Sequence, residues 1–201
     1  MELVFATHNL NKVREIQAVL PPHITLRTLE DIGCREEIPE TADTLEGNAL
    51  LKATHVLKHY GMPCFADDTG LEVDALGGSP GVFSARYAGL PKNDSKNVEK
   101  LLKDLQGQPN RKARFTTVIA LCTHEESRLF MGEVEGVITE FPRGNKGFGY
   151  DPVFQPEGYG ETFAELSLPE KNRISHRARA FAKLLLHLKR HFPQSEDFRN
   201  K

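Results

Sequence analysis

The sequence has no run of apolar residues that could cross a membrane. A bilayer span needs about 20 consecutive apolar residues, and no stretch of the 201 residues approaches that length. The N-terminal segment also lacks the order of basic, apolar and small residues that is typical of a signal peptide. We therefore expect a cytoplasmic protein with no membrane partner.

Cysteine is scarce. The three cysteines, Cys34, Cys64 and Cys122, lie far apart and form no CxxC pair or other spacing typical of a zinc site. We expect them to be free thiols of a protein in a reducing compartment.

The chain also lacks an excess of charge of one sign. It has 26 basic and 28 acidic residues, a net charge of −2, which argues against a general nucleic-acid-binding protein because such proteins are normally strongly basic. The charges are nevertheless unevenly placed: residues 30–48 have a local charge of −6, and residues 171–201 have one of +7. Either these are two solvated faces, or they are an acidic, metal-holding wall and a basic, anion-holding wall of one cleft.

Strand and helix patterns alternate along the chain, with at least one hairpin, and predict a mixed α/β protein. The length favours a single domain, residues 1–201. Predicted strands cover residues 2–6, 23–29, 62–66, 71–76, 113–122 and 128–138. Predicted helices cover residues 12–20, 44–60, 94–106 and 175–191. Asp43 with Glu46 resembles a capping box for the second helix, and Ser175 is the predicted cap of the last.

The segment from Thr7 to Lys12 lies between a predicted strand and a predicted helix. Such a junction presents backbone N–H groups and the positive end of a helix dipole, and both attract phosphate. The glycines of a Walker A loop are absent. A plain strand–helix turn is the alternative.

Asp67 and Asp68 stand together at the end of an apolar strand. Two carboxylates there are costly to desolvate unless a cation lies nearby, and Mg²⁺ prefers oxygen ligands. Neighbouring residues in a strand point to opposite faces, so one Asp could bind metal while the other orients water. An ordinary Asp-Asp-Thr-Gly turn explains the pair equally well.

Two further segments suit a nucleotide. In Gly144–Asp151, glycines flank Phe148 and allow a close backbone approach beside an aromatic face on which a purine could stack. In Lys171–Arg177, positive side chains at a helix start oppose the helix dipole, and a bound anion or base carbonyl would relieve that conflict. The alternatives are a glycine-rich hairpin tip and an exposed basic helix start.

Taken together, these segments resemble the inosine triphosphate pyrophosphatases, also called XTP/dITP diphosphatases. The matching blocks run in order along nearly the whole chain. They are Phe5-Ala6-Thr7-x-Asn9-x-x-Lys12, Glu40-Thr41, Asn48-Ala49, residues 66–71 (ADDTGL), residues 76–87 (LGGSPGVFSARY), residues 147–154 (GFGYDPVF), Glu165-Leu166 and residues 170–177 (EKNRISHR). One departure is His8, where many relatives carry glycine.

The resemblance implies an elongated, two-lobed α/β fold with a mixed sheet and the active site in the central cleft. It implies hydrolysis of ITP, dITP and XTP between the α- and β-phosphates, which yields the monophosphate and pyrophosphate. It also implies Mg²⁺ as cofactor, a purine nucleoside triphosphate as substrate and a homodimer. Alternatives are a related pyrophosphatase with another base preference, such as dUTP or dTTP, and a non-catalytic nucleotide-binding module.

The site residues that follow from the resemblance fall into three groups. The expected metal ligands are Glu40 and Asp68. Asp68 is also the expected proton acceptor for the attacking water, with Asp67 as its competitor. The expected nucleotide contacts are Thr7, His8, Asn9, Leu10, Asn11, Lys12, Thr69, Phe148, Gly149, Tyr150, Asp151, Lys171, His176 and Arg177.

Selectivity for deaminated purines has a chemical reason. Hypoxanthine and xanthine carry a keto acceptor at C6, where adenine carries an amino donor. His176, Arg177 and nearby N–H groups could donate to that acceptor, and a site built around such a bond can discriminate by ~10⁴. Guanine shares the keto group, so it must be rejected on its 2-amino side.

Overall fold

A mixed sheet of seven strands organises residues 1–191, the part of the chain that the computed structural model describes. The strands are β1 (Glu2–Phe5), β2 (Thr25–Thr28), β3 (Cys64–Val73), β4 (Pro80–Gly81), β5 (Lys112–Cys122), β6 (Ser127–Ile138) and β7 (Phe154–Pro156). The main path of the sheet is β2-β1-β3-β5-β6-β7, and β4 pairs with β3. Strands β2, β1 and β3 are parallel, whereas all other pairs are antiparallel. The predicted mixed α/β class and the β5–β6 hairpin are confirmed.

Helices cover both faces of the sheet. They are α1 (Leu10–Gln17), α2 (Leu45–Tyr60), α3 (Asp94–Asp104), α4 (Leu168–Ile174) and α5 (His176–His191). Helix α2 packs on one face with β3 and β5, and α1 and α5 pack on the other. At Gly132 of β6, a Cβ would overlap the backbone of α5 at His176 and Ala180, so the glycine allows this close approach. None of the helices in residues 1–191 is long and apolar enough to span a bilayer.

Side chains along β3 alternate between the two faces of the sheet, and this alternation decides in which hydrophobic core each side chain is buried. Cys64 and Ala66 face α2. Phe65 faces the opposite core, where it stacks on Phe5 with ring centroids 4.5 Å apart and contacts Phe181 of α5. The same alternation sends the next two side chains, both acidic, to opposite faces of the sheet.

A third core lies at the other end of the long strands. It contains Leu71 and Val73 of β3, Phe115 of β5, Leu101 of α3 and Phe163, all buried. Strand β3 thus runs from one end of the hydrophobic interior to the other, and its polar residues 67–69 stand between the cores.

Two predicted element boundaries were wrong around β3 and α2. The strands predicted at 62–66 and 71–76 are one continuous strand, because Asp-Asp-Thr-Gly is paired residue by residue with β5 and makes no turn. Helix α2 is capped by Thr44, whose Oγ1 accepts from the Gly47 N–H at 3.0 Å, and not by Asp43.

Of the three helices near residues 7–12 and 171–177, one begins earlier than predicted, one was not predicted and one is capped as predicted. Helix α1 begins at Leu10, two residues earlier than predicted, because Asn9 is its cap. Helix α4 was not predicted, although Ser167 and Glu170 form a complete capping box. Ser175 caps α5 as predicted, accepting from the Ala178 N–H at 3.2 Å.

Candidate active site

A cavity of about 450 Å³ lies where the polar part of β3 meets the loops around it. Most of the residues predicted to contact nucleotide or metal line this cavity. They are Thr7, His8, Asn9, Lys12, Glu40, Asp68, Thr69, Phe148, Gly149, Tyr150, Asp151, Lys171, His176 and Arg177. Leu10, Asn11 and Asp67 are not among the lining residues. Leu10 points outward with 64% of its surface exposed, and Asp67 is buried.

The loop before α1 is organised by its own side chains. Asn9 Oδ1 accepts from the N–H groups of Asn11 and Lys12 at 2.9 and 3.3 Å, and Thr7 Oγ1 accepts from the Asn9 N–H at 3.1 Å. The N–H groups of Asn11 and Lys12 are therefore already bonded within the protein. The Lys12 ammonium supplies the positive charge that this loop turns toward the cavity.

Asp67 is an ion-pair centre. Its side chain is 1% exposed, and its carboxylate accepts from Lys12 Nζ at 2.9 Å and from Arg177 Nε at 3.0 Å. Burial alone would raise the pKa of Asp67, but Lys12, Arg177 and Lys52 outweigh it and hold that pKa well below the usual range. Asp67 is therefore ionised at neutral pH and anchors two cations of the cavity.

Asp68 has a different environment on the opposite face of β3. Its Oδ2 accepts from Asn48 Nδ2 at 3.0 Å, and Lys52 Nζ lies 3.9 Å from its Oδ1. Burial raises the pKa of Asp68, and the opposing effects of Lys52 and Lys12 do not cancel that rise. Asp68 is thus a buried carboxylate with incomplete charge compensation that borders the cavity.

The carboxylates of Glu40 and Asp68 both lie close to the ammonium group of Lys52. Lys52 Nζ donates to Glu40 Oε1 at 2.7 Å and lies 3.9 Å from Asp68. Two carboxylates that converge on one positive group form an oxygen-rich cation site, and Mg²⁺ commonly uses only one or two carboxylates together with water and phosphate oxygens. The residues present therefore fit a hard divalent ion.

Glu15, which sequence reasoning missed, neutralises the basic segment. It accepts from Lys171 Nζ at 2.6 Å and from Arg177 Nη1. Arg177 is therefore held by Glu15 and Asp67, and it also donates to Thr69 Oγ1 at 3.2 Å. The protein's own carboxylates therefore relieve much of the charge conflict that suggested a bound anion or base carbonyl at the start of α5.

His176 is not one of the positive side chains that the sequence predicts at the start of the last helix. Its ring is 3% exposed and stacks on Phe115 with centroids 4.5 Å apart. Burial, together with the charges of Arg177 and Lys171, holds the pKa of His176 well below its ordinary value, so the ring is neutral. Its Nδ1 is buried without a hydrogen-bond partner among residues 1–191. A neutral imidazole offers one donor and one acceptor to a ligand in the cavity.

Two cationic side chains lie over the ring of Phe148 at the edge of the cavity. Lys171 Nζ and Arg177 Cζ are 5.2 and 5.5 Å from its ring centroid. The Asp151 carboxylate accepts from the Phe148 N–H at 2.9 Å, and a Cβ at Gly147 would overlap that carboxylate. Asp94 of α3 accepts from the Gly149 N–H at 2.8 Å. Hydrogen bonds from the loop backbone to Asp151 and to Asp94 therefore hold the Phe148 ring in position.

Further polar residues at the cavity were not assigned from the sequence. Arg86 and Lys92 lie 3.8 and 3.6 Å from Glu40 Oε2 and add positive charge on that side. Asn48 and Lys52 lie four residues apart on α2, within its buried apolar stripe. Buried polar residues on such a stripe are uncommon, and that signal could have identified both.

A family model described as the Ham1 family matches residues 3–187. The chain belongs to the Ham1 family. Among its relatives, a dITP/XTP pyrophosphatase of Flavobacterium psychrophilum is 57% identical over 185 residues, which are 92% of this chain and 97% of the relative. A dITP/XTP pyrophosphatase of Bacillus licheniformis is 52% identical, and the match covers 91% of this chain and 95% of the relative.

Solved structures of the Ham1 family share the fold. A HAM1 protein from Coxiella burnetii is 39% identical with a TM-score of 0.86, covering 94% of this chain and 99% of its own. A nucleoside-triphosphatase described as a dITP/XTP pyrophosphatase from Mycobacterium abscessus is 44% identical with a TM-score of 0.74, covering 92% and 99%.

Proposed function

We propose that this chain hydrolyses non-canonical purine nucleoside triphosphates, namely ITP, dITP and XTP, to the monophosphate and pyrophosphate. It is a nucleoside triphosphate pyrophosphohydrolase of the dITP/XTP type, as its relatives' names indicate. The observation that carries the proposal is the single cavity that brings together Lys12, the Glu40–Asp68 pair, Phe148 and Arg177. Phosphate, metal and base each have matching chemistry within that cavity.

The environments of the two aspartates support Asp68 as the general base. A base works best when its pKa lies near the operating pH, and the pKa of Asp68 is raised whereas that of Asp67 is lowered. Asp67 also has both carboxylate oxygens engaged by cations. Asp68 would take a proton from the attacking water, and Asp67 would hold Lys12 and Arg177 in place.

The positive groups around the cavity suit the triphosphate. Hydrolysis of a phosphoanhydride depends mainly on charge neutralisation and positioning. Lys12, at the start of α1, would contact the phosphates, and Thr7 and Asn9 hold its loop in shape. The contribution of Leu10 and Asn11 would be limited to the backbone of this loop, since neither lines the cavity.

Mg²⁺ is the metal that we assign to Glu40 and Asp68. When bound, it would withdraw charge from the phosphate oxygens. Lys52, which contacts both carboxylates, would keep them together and limit their mutual repulsion.

Base selection would come from the side of the cavity formed by Phe148 and His176. Phe148 would stack on the purine. The neutral His176 could donate to a 6-keto oxygen, but it adds no positive charge there. Tyr150 and Asp151 would act by holding the loop, because the Tyr150 hydroxyl donates to the Ser84 carbonyl oxygen at 2.8 Å and Asp151 binds Lys171.

The test is pyrophosphate release from ITP, XTP, dITP, GTP, ATP, dUTP and dTTP, with Mg²⁺ and with a chelator. We expect the three deaminated purines to be preferred and the chelator to abolish activity. A preference for dUTP or dTTP would favour a related pyrophosphatase of other specificity. Binding of nucleotide without turnover on any of the seven would favour a non-catalytic module.

Three further properties belong to the proposal. We place the protein in the cytoplasm, where the nucleotide pool lies and where its three buried free thiols would stay reduced. Residues 1–201 would form one domain. We also expect a homodimer, and the exposed apolar side chains of Phe83 and Leu90 are consistent with a contact surface. Light scattering of the purified protein tests the dimer.

A further inference from the structure

A second cluster of metal-ligating side chains lies outside the cavity. Cys34, Glu36 and His55 each offer a ligand atom, and these three atoms lie within 4.8 Å of one another. It is the one such group of three or more among residues 1–191. Cys34 and Glu36 belong to the segment after β2, and His55 lies on α2. No zinc motif in the sequence indicates this cluster, because its ligands are too far apart along the chain.

Neighbouring groups hold these ligands in position. The Tyr60 hydroxyl lies 3.0 and 3.3 Å from the two carboxylate oxygens of Glu36, and His55 Nε2 lies 3.2 Å from Glu36 Oε1. The ring of His59 lies against that of His55, with centroids 4.2 Å apart and the ring planes tilted by 30°. Hydrogen-bonded carboxylates and oriented imidazoles are typical of the surroundings of bound metals.

The donor types discriminate between metals. Thiolate, imidazole and carboxylate are the ligands of Zn²⁺, whereas Mg²⁺ and Ca²⁺ require oxygen donors throughout. Three protein ligands with a fourth position for water complete a tetrahedral zinc shell. This cluster therefore differs in chemistry from the Glu40–Asp68 pair in the cavity.

We propose that Cys34, Glu36 and His55 form a binding site for a zinc-like divalent ion. On binding, the S–H bond of Cys34 breaks, a sulfur–metal bond forms and the proton passes to solvent, with no change of oxidation state. Because this proton is released when the metal binds, affinity falls as the pH is lowered.

The site lies close enough to the cavity to influence it. His8 Nε2 lies 3.0 Å from the Glu36 carbonyl oxygen, so the cluster is linked to the loop before α1. His55 follows Lys52 by three residues on α2, nearly one helical turn. A bound ion would connect the segment that leads to Glu40 with the helix that carries Lys52.

The test uses the full chain, stripped of metal and titrated with Co²⁺ as a spectroscopic probe and with Zn²⁺ in competition. We expect a thiolate-to-cobalt charge-transfer band in the wild type, and its loss in Cys34→Ala. His55→Ala should weaken Zn²⁺ binding at least tenfold. The matched controls Cys122→Ala and His124→Ala remove a thiol and an imidazole elsewhere and should keep both the band and the affinity.

Glu40→Gln separates this site from the cavity. Because the thiolate band comes from sulfur alone, it should persist in this variant. Absence of the band in the wild type, or its persistence in Cys34→Ala, would overturn the proposal. Equal Zn²⁺ affinity in the wild type and in His55→Ala would do so as well. None of these readouts depends on turnover.

Discussion

The carboxylates of Asp67 and Asp68, adjacent in sequence, leave β3 on opposite faces of the sheet and have opposite pKa shifts. Asp67 faces α1 and α5 and binds Lys12 and Arg177. Asp68 faces α2 and binds Asn48. Environments that separate the pKa values of two neighbouring acids are typical of sites where one acid does proton chemistry and the other provides structure.

Replacement of Asp68 by Asn should remove the general base. We expect kcat to fall by ~10²–10⁴, the usual contribution of a positioned base, while ITP still binds. Steady-state pyrophosphate release and calorimetric titration measure the two effects. A variant that keeps more than about a tenth of the wild-type rate, a change of ~1.4 kcal/mol in barrier, would contradict the assignment.

Replacement of Asp67 by Asn should mainly destabilise the fold. It leaves the buried charges of Lys12 and Arg177 without one of their partners, and breaking such a pair costs ~3–5 kcal/mol. Because the folded pKa of Asp67 is lowered, its stabilising effect is complete above the unfolded pKa and disappears as the pH falls through the folded one.

Urea unfolding from pH 7 to pH 3 measures this effect. The difference in free energy of unfolding between wild type and Asp67→Asn should be largest at pH 7 and should shrink below about pH 4. A difference that stays constant over this range would show that the ion pairs of Asp67 do not account for its role.

Replacement of Lys52 by Met should move the pH dependence of catalysis. Lys52 opposes the effect of burial on the pKa of Asp68, so its removal raises that pKa further. The acid limb of the kcat/KM profile should therefore shift to higher pH. Lys58→Met, which removes an exposed charge from the same helix, is the control. An unchanged acid limb in Lys52→Met would argue against Asp68 as the titrating group.

Replacement of Phe148 by Leu should weaken nucleotide binding more than chemistry. Loss of base stacking costs ~1–3 kcal/mol, so we expect KM for ITP to rise by a factor of ~5–150 with a smaller change in kcat. Phe141→Leu serves as the control, because this exposed side chain precedes the same loop and does not line the cavity. Equal kinetics in the two variants would exclude stacking on Phe148.

Most of the fold could be predicted because its signals are local. The apolar runs of β1 and β5 and the stripes of α2 and α5 identify buried faces without knowledge of the partner. The Asp-Asp-Thr-Gly stretch could not be assigned correctly in this way. Its strand conformation depends on pairing with β5, about 50 residues away, and tertiary pairing overrides local turn propensity.

Some residues of the candidate site could likewise be predicted from the sequence, whereas the roles of others depend on contacts with distant residues. The residue types at Asp68 and Phe148 suggest their chemistry directly. The role of Glu15 depends on contacts with Lys171 and Arg177, more than 150 residues away, and no pattern within α1 indicates them. The protonation state of His176 likewise follows from burial against Phe115, which only the packed structure reveals.

The span of that ion-pair network has a consequence for synthesis on the ribosome. Glu15 and Asp67 are translated well before their partners Lys171 and Arg177, which are among the last described residues. Until α5 leaves the exit tunnel, the anions behind the cavity lack most of their counter-charges, and Phe65 lacks its contact with Phe181. A nascent chain in which α5 has not yet packed against the sheet therefore has poorly compensated carboxylates and an incomplete core, and incompletely packed intermediates of this kind are prone to aggregation.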